Sequence, residues 1–537
     1  MGPRTRAWAP RVGAILAGLA AAFAHPPFGL LPGLLGYAAI LWLCDRTDLE
    51  RPRRSAFLRG WLAGAGYFAV SIWWVGEAFF VDAANQGWIA PFAVAGLAAG
   101  LGLFWGAAAA LYRSLAPAGP LRLLVFAGAF SGCEWLRGHV LTGFPWDLPG
   151  ETWRAGSAPS QVASIVGAYG LTWLTVAIAA APGLGLRTRG ERIAIAAAAV
   201  TLAGLYGYGA GRLASAETAP SANAPIVRVV QPDTPELATY DAAAFANVLK
   251  RNLDLTRQPP ATGSHAPTVI VWSEAGLPAA LQDYLAPGTW TLAQIQGALR
   301  PGQTLITGGY RVQPAPPGAY APDGSIYHNS LVALTRSATG LTITGLYDKY
   351  RLVPFGEYLP LDRLIAPLGL KQLVHLGQGF TPGPLPRPID PPGVPSVQPL
   401  ICYESLFPGF TNDAARRAGH RPLWIVNISD DAWFGVTSGP WQHLNLASYR
   451  AIEEGLPMVR ATPTGVSAII DAYGRTLPGK QLGQGAYGVI DSALPPALPK
   501  TTFEVCGGAI FAAMLLISLA SSLPGRRTNR PQGGNAG

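Results

Sequence analysis

Charge is scarce in this chain. Asp, Glu, Lys and Arg make up 13% of its 537 residues, about half the share of an ordinary soluble domain. Hydrophobic residues make up 50%, and that balance points to a membrane protein. Histidine is sparse too: the seven are scattered, and neither an H-E-x-x-H nor a C-x-x-C spacing occurs. A metal site built on those ligands therefore has no sequence support. The absence of G-x-x-x-x-G-K-[ST] removes the common phosphate-cradling loop. The absence of G-x-S-x-G removes the serine-hydrolase elbow.

What is present is a series of long apolar runs. They fall near residues 12–25, 28–44, 60–81, 88–112, 121–141, 161–184 and 193–210, with an eighth near 507–523. Most reach the roughly 20 residues needed to cross a bilayer. The first is short and ends in Ala22-Phe23-Ala24, which resembles a signal-peptide cleavage site. Further spans follow at once, so a retained span is expected.

The arginines set the orientation. The loops on one side carry Arg4, Arg6, Arg11, Arg46, Arg51, Arg53, Arg54, Arg59, Arg113, Arg122, Arg187, Arg189, Arg192, Arg526, Arg527 and Arg530. These 16 arginines face only Asp45, Asp48, Glu50 and Glu191, an excess larger than the net +9 of the whole chain. Among the alternate loops, those around His25–Phe28 and Phe80–Gly87 carry no Lys or Arg, and the next carries Arg154. This is the positive-inside pattern. The basicity is topological, so no nucleic-acid partner is expected. Seven spans starting inside predict a membrane part over 1–214 and an exported domain over 215–505. The eighth span and a cytoplasmic tail fill 506–537.

The exported segment opens with a small, polar, Pro-containing linker, Ser215–Pro225. Short β-branched runs follow at Ile226–Val230, Thr268–Trp272, Thr304–Thr307, Leu331–Leu334, Leu341–Leu346, Leu400–Tyr403, Leu423–Ile428 and Val466–Ile470. Helix-like segments such as Asp241–Thr256 and Leu444–Glu454 lie between some of them. Strands mixed with helices predict a layered α/β or α+β domain.

Cys44, Cys133 and Cys506 sit in or at the ends of spans, which leaves Cys402 alone in the exported part. A leftover cysteine there is either a reactive thiol or a small buried hydrophobe. Two strand-end residues favour the thiol. Glu274 follows the apolar run of "VIVWSEAGLP", where an unused carboxylate is costly. In "LYDKYRLVPFGEYLP", Lys349 and Glu357 flank Leu352–Phe355. A carboxylate can take a thiol proton and an ammonium can hold an oxyanion, so Glu, Lys and Cys supply nucleophilic catalysis without histidine. Taken singly, each also reads as a helix-entry acid, a solvated lysine or a salt-bridge partner.

This order of Glu, Lys and Cys resembles the nitrilase superfamily. The longer match resembles the apolipoprotein N-acyltransferase family. In the membrane part it runs through "EWLRG" (Glu134–Gly138), "LTGFPW" (Leu141–Trp146) and "VASIVGAYGLTWL" (Val162–Leu174). In the exported part it runs through "VWSEAGLP", "YDKYRLVPFGEYLP", "ICYES", "DAWFG" (Asp431–Gly435) and "GPWQHL" (Gly439–Leu444). The resemblance implies an α-β-β-α sandwich outside a multi-span membrane domain, in the bacterial inner membrane with the sandwich in the periplasm. It implies Glu274 as general base, Lys349 as oxyanion cation and Cys402 as nucleophile, with Glu357, Tyr403 and Glu404 shaping the site and no metal or cofactor. Trp146, Trp433 and Phe434 are expected to support substrate binding, and Leu359–Val374 to form a lid or lipid-contact arm. Glu134 and Arg137, at i and i+3, are expected to pair, and His443 to play a supporting role.

The implied partners are a phospholipid acyl donor, a diacylated apolipoprotein acceptor and membrane lipid. A membrane-tethered carbon–nitrogen hydrolase and a non-catalytic ligand-binding membrane protein remain the alternatives. The sequence departs from the family pattern at "VQPDTP" (Val230–Pro235), Tyr240 and Asp430.

Overall fold

The computed structural model describes residues 3–48, 50–217, 219–237, 240–260, 265–317, 323–359 and 379–523. The arm expected at Leu359–Val374 and the arginines of the tail therefore lie outside the described residues, Leu359 itself excepted.

The first 215 residues are helical. Helices occupy Pro3–Phe23, Leu35–Asp45, Pro52–Ser71, Ala90–Leu115, Arg122–Arg137, Ala163–Ala180 and Arg189–Ala214. Among the described residues, three stretches, Ala83–Leu115, Pro159–Leu184 and Arg189–Ala214, are long and apolar enough to cross a membrane; Trp8–Phe23, Leu31–Asp45 and Ala509–Ala520 are shorter apolar helices. Two boundaries differ from expectation. The second helix starts at Leu35 rather than near residue 28, because Pro26, Pro27, Gly29, Pro32 and Gly33 delay it. The third starts at Pro52, so Arg53, Arg54 and Arg59 are helical rather than in a loop. Proline is tolerated in a first turn and arginine is a good helix former. This helix packs closely on Ala90–Leu115 through small residues: a Cβ on Gly64 would stand 2.8 Å from Gly102 Cα.

Residues 226–493 fold into two sheets. Strands β1 (Ile226–Gln231), β2 (Val269–Val271), β3 (Thr304–Pro314), β4 (Ser325–Arg336), β5 (Leu341–Asp348) and β11 (Gly488–Ala493) make one, in the order β11-β1-β2-β3-β4-β5. Strands β6 (Val397–Ile401), β7 (Trp424–Ile428), β8 (Met458–Ala461), β9 (Ser467–Ile470) and β10 (Thr476–Leu482) make the other, in the order β10-β9-β8-β7-β6. Three neighbouring strands of each sheet are parallel: β1-β2-β3 within the first, and β6-β7-β8, with β6 at the edge, in the second.

Alternation along the strands builds the layers. Val227 and Val229 point into a shared core with Val426, Ile428 and Val459 from the other sheet. Val230, Ile270 and Leu305 point the other way, onto the helix Ala242–Arg257. On the far side, Ile425, Met458 and Ile470 pack against the helix Gly439–Glu454. The α-β-β-α sandwich expected from the resemblance is thus the observed architecture. Strands β8, β10 and β11 have no counterpart among the expected runs; "TLPGKQL" of β10 is largely polar and carries a proline.

The helix Gly439–Glu454 is buried on all sides; every residue except Trp441 is shielded. Its second face lies on the helical half. Asn445 accepts from Ala155 N at 2.8 Å and donates to Glu151 O at 3.0 Å, Tyr449 donates to Gly150 O at 3.1 Å, and Glu453 accepts from Ala168 N at 2.7 Å. Buried polar groups need such partners. They fasten the sandwich to the helices.

Candidate active site

Glu274 follows β2, Lys349 follows β5, Cys402 follows β6, and Ser429 to Asp431 follow β7. In open α/β sheets, ligands bind outside the carboxyl ends of parallel strands. Here two such edges face one another, and residues more than 50 positions apart converge.

Lys349 is at the centre. Its side chain is 1% exposed, and Nζ lies 3.2 Å from Glu274 Oε1 and 2.9 Å from Glu357 Oε1. Asn329, on β4, bridges the same two oxygens, donating at 2.6 Å to Glu274 and 2.8 Å to Glu357. The other oxygens take backbone donors: Asp430 N to Glu274 Oε2 and Val353 N to Glu357 Oε2, both at 2.8 Å. Burial works against the Lys349 charge, but Glu274 and Glu357 outweigh it and raise the ammonium above its ordinary value. Two carboxylates around one cation are held ready for chemistry. Asn329 was not anticipated; its signal is an amide inside the apolar strand "NSLVAL".

Cys402 is a free thiol with φ of 49°, a left-handed conformation rare outside glycine. It turns the chain from β6 into the short helix Cys402–Leu406. Such strain clusters where function requires it. Glu404 holds the turn: one oxygen accepts from Ile401 N at 2.8 Å, the other from Tyr350 N at 2.8 Å, Tyr347 Oη at 2.7 Å and Arg351 N at 3.2 Å. The turn and the Lys349 loop are thereby tied together. Burial lifts the Glu404 carboxyl to about 7 against these donors. Burial also pushes the Cys402 thiol up, Glu274 adds to that, and Lys349 pulls it down. A protonated thiol needs a base at the moment it attacks.

The neighbouring aromatics divide. Tyr403 donates to Gly143 O, and its ring meets Phe407 at 5.3 Å and Phe144 at 6.3 Å. Trp146, 2% exposed, meets Trp74 at 4.4 Å and Phe434 at 5.9 Å, and donates to Gln442 at 3.2 Å. Trp433 is 41% exposed and stands outside this cluster. Glu134 and Arg137 pair as expected and are fully buried. Arg137 also donates to Phe144 O and accepts from Phe144 N at 2.8 Å, which staples the segment His139–Phe144. That segment reaches the site: Thr142 bonds Tyr358 at 2.6 Å, and Arg351 donates to Thr142 O at 3.1 Å.

His443 supports from behind. It contacts Asp431 at 3.0 Å, Ser405 at 3.1 Å and Cys402 O at 3.3 Å. Arg460 and His443 hold Asp431 well below the usual carboxylate range despite its burial. Among the described residues no group of His, Cys, Asp and Glu is placed to hold a metal ion.

Two of the noted departures meet in space. The Asp430 and Glu236 carboxyls lie close enough to act on one another, which favours one proton shared between them, and Tyr240 lies beside Glu236. Burial raises both carboxyls, and the charge on Glu274 raises them further. Glu236 was not anticipated, since an acid in a polar loop carries no periodic signal. A carboxyl whose folded-state pKa is raised contributes stability below its ordinary value, and that contribution is lost as pH rises through the raised one. Glu236→Gln is therefore expected to make the thermal midpoint less sensitive to alkaline pH than in the parent. Parallel midpoint-against-pH curves for the two proteins would refute a shared proton.

Comparison with known proteins places the chain in a family. The apolipoprotein N-acyltransferase N-terminal domain matches residues 17–181, and the carbon-nitrogen hydrolase domain matches residues 226–501. An apolipoprotein N-acyltransferase of Caulobacter vibrioides is 55% identical over 516 residues, covering 96% of this chain and 94% of that protein. One from Rhodopseudomonas palustris is 37% identical over 533 residues, covering 96% of each. Among solved structures, an amidase from Nesterenkonia sp. aligns at 16% identity and a TM-score of 0.34, over 55% of this chain and 98% of that one. The membrane-half motifs, the sandwich and near full-length identity converge: this chain belongs to the apolipoprotein N-acyltransferase family.

Proposed function

We propose that the chain transfers an acyl chain from a phospholipid to the α-amine of an N-terminal diacylglyceryl-cysteine, through a thioester on Cys402. The observation that carries this reading is the Lys349 ammonium bridging Glu274 and Glu357 beside a strained, unpaired thiol. Glu274 takes the Cys402 proton as sulfur attacks the ester carbonyl, and Lys349 holds the oxyanion. Collapse breaks the ester C–O bond, and the proton on Glu274 leaves with the lysophospholipid. The amine then attacks the thioester and gives up a proton to Glu274. The amide forms, and the thiol is restored. Glu357 and Asn329 hold Lys349 and Glu274 in place, and Trp146, Tyr403 and Phe434 wall the site toward the helices.

In this reading the helices form a multi-pass bundle of eight spans in a bacterial inner membrane. The termini are cytoplasmic and the sandwich is periplasmic, with the boundaries at 214 and 505. Both substrates are lipid-anchored, and the site's attachment to the helical half suits them.

The decisive experiment is mass spectrometry of the intact protein incubated with phospholipid. An acyl mass on Cys402, discharged by a diacylated lipopeptide and stable in water, is expected. Discharge by water at the same rate would make the protein a hydrolase. The geometry adds a second expectation. A Cβ on Gly308 would stand 2.2 Å from Glu274 O and 2.6 Å from Glu274 Cα. Gly308→Ala should shift the base and lower turnover about 100-fold, read by rate against an unchanged thiol titre. Parent-like turnover would remove Glu274 from the mechanism.

A further inference from the structure

A second pocket, sharing no residue with the site around Cys402, lies where the helical half meets the sandwich. It encloses about 300 Å³ between Arg212, Tyr208, Ser164, Tyr473, Lys500 and Thr502. Arg212 is in the last turn of the helix Arg189–Ala214 and Ser164 in the first turn of Ala163–Ala180, while Lys500 precedes, and Thr502 begins, the short helix Thr502–Cys506. In the membrane reading this is the height of the outer headgroups.

The charges there are not balanced. Of four neighbouring cations, Arg475 is paired with Asp471 at 2.8 Å and Arg421 with Glu504 at 2.9 Å. Arg212 donates to Gln161 and lies over the Tyr473 ring at 4.8 Å; among the described residues it makes no ion pair, and Asp471, held by Arg475, acts on it from farther off. Lys500 reaches Glu504, already taken by Arg421, only at 3.9 Å, and its side chain is 64% exposed. A guanidinium and an ammonium beside hydroxyl groups suit a phosphodiester. The surface leading away from the pocket is apolar. The most apolar stretch of Arg189–Ala214 is only 11% buried, and Val200, about 18 Å along the helix from Arg212, is 72% exposed. A free phosphate would use the cations alone, whereas a glycerophospholipid would use the cations and lay its chains along this helix.

We propose that this pocket binds the phosphodiester headgroup of an anionic glycerophospholipid, which fastens the seventh long helix to the sandwich. The proposal rests on the membrane reading above. The test uses the full-length protein in detergent, with native mass spectrometry of bound lipid after incubation with phosphatidylglycerol, phosphatidylcholine or inorganic phosphate. Retention of phosphatidylglycerol over phosphatidylcholine is expected. Arg212→Ala and Lys500→Ala should each weaken that retention about fivefold, and Arg212→Lys should largely restore it at an unchanged melting temperature. Equal retention in parent and alanine variants overturns the site. Displacement of the lipid by millimolar phosphate alone overturns the lipid as its ligand. Failure to retain phosphatidylglycerol in preference to phosphatidylcholine overturns the proposal, whereas failure of the protein to insert into liposomes would overturn the membrane reading itself.

Discussion

Cys402→Ala is expected to lower acyl transfer by at least about 10⁴-fold, the scale on which removal of a nucleophile acts. The substitution keeps Cβ and removes only the sulfur, so the turn at φ of 49° is no more strained than before. Glu404 still ties Ile401, Tyr350 and Arg351 together. The melting temperature should therefore change little, and the acyl adduct should vanish. Cys402→Ser keeps a hydroxyl, but its proton is harder to remove and the rate should also collapse. Full transfer in the alanine variant would sink the thiol mechanism. Activity is measured by the lipopeptide mass shift and folding by thermal unfolding of the same sample.

Lys349→Met is expected to cost about 10²–10⁴-fold in turnover, as loss of an oxyanion-stabilising group does. Its further consequence is electrostatic. Glu274 and Glu357 would then face one another with only the Asn329 amide between them. Two like charges left on one amide repel one another once the cation is gone. Breaking a largely buried pair by deleting one partner costs about 3–5 kcal/mol, visible as a lowered melting temperature. Lys349→Arg, which keeps the charge, should recover the melting temperature at a reduced rate. A methionine variant with more than a tenth of parent activity would remove Lys349 from catalysis.

Several features could be read from one dimension because they depend on local pattern. Apolar runs marked strands β1, β2, β6 and β7, and the polar residue closing each run marked Glu274 and Cys402, since a strand delivers its end residue to the sheet edge. The Glu134–Arg137 pair was legible because three residues bring side chains onto one helical face.

Tertiary structure decided what depends on residues distant in sequence. Asn329 bridges Glu274 and Glu357 because β4 lies beside β3 and β5. Glu236 finds Asp430 across the gap between sheets, and Gly143, from the helical half, receives the Tyr403 hydroxyl. Trp433 and Phe434 are adjacent in sequence, yet one is exposed while the other packs on Trp74 at 4.4 Å. Periodicity carries information over a few residues, whereas hydrogen bonds and desolvation act over a few ångströms. Only folding makes those distances coincide. Residue type and order therefore set the chemistry available, and the packing of two sheets against a helical bundle set which groups share a proton.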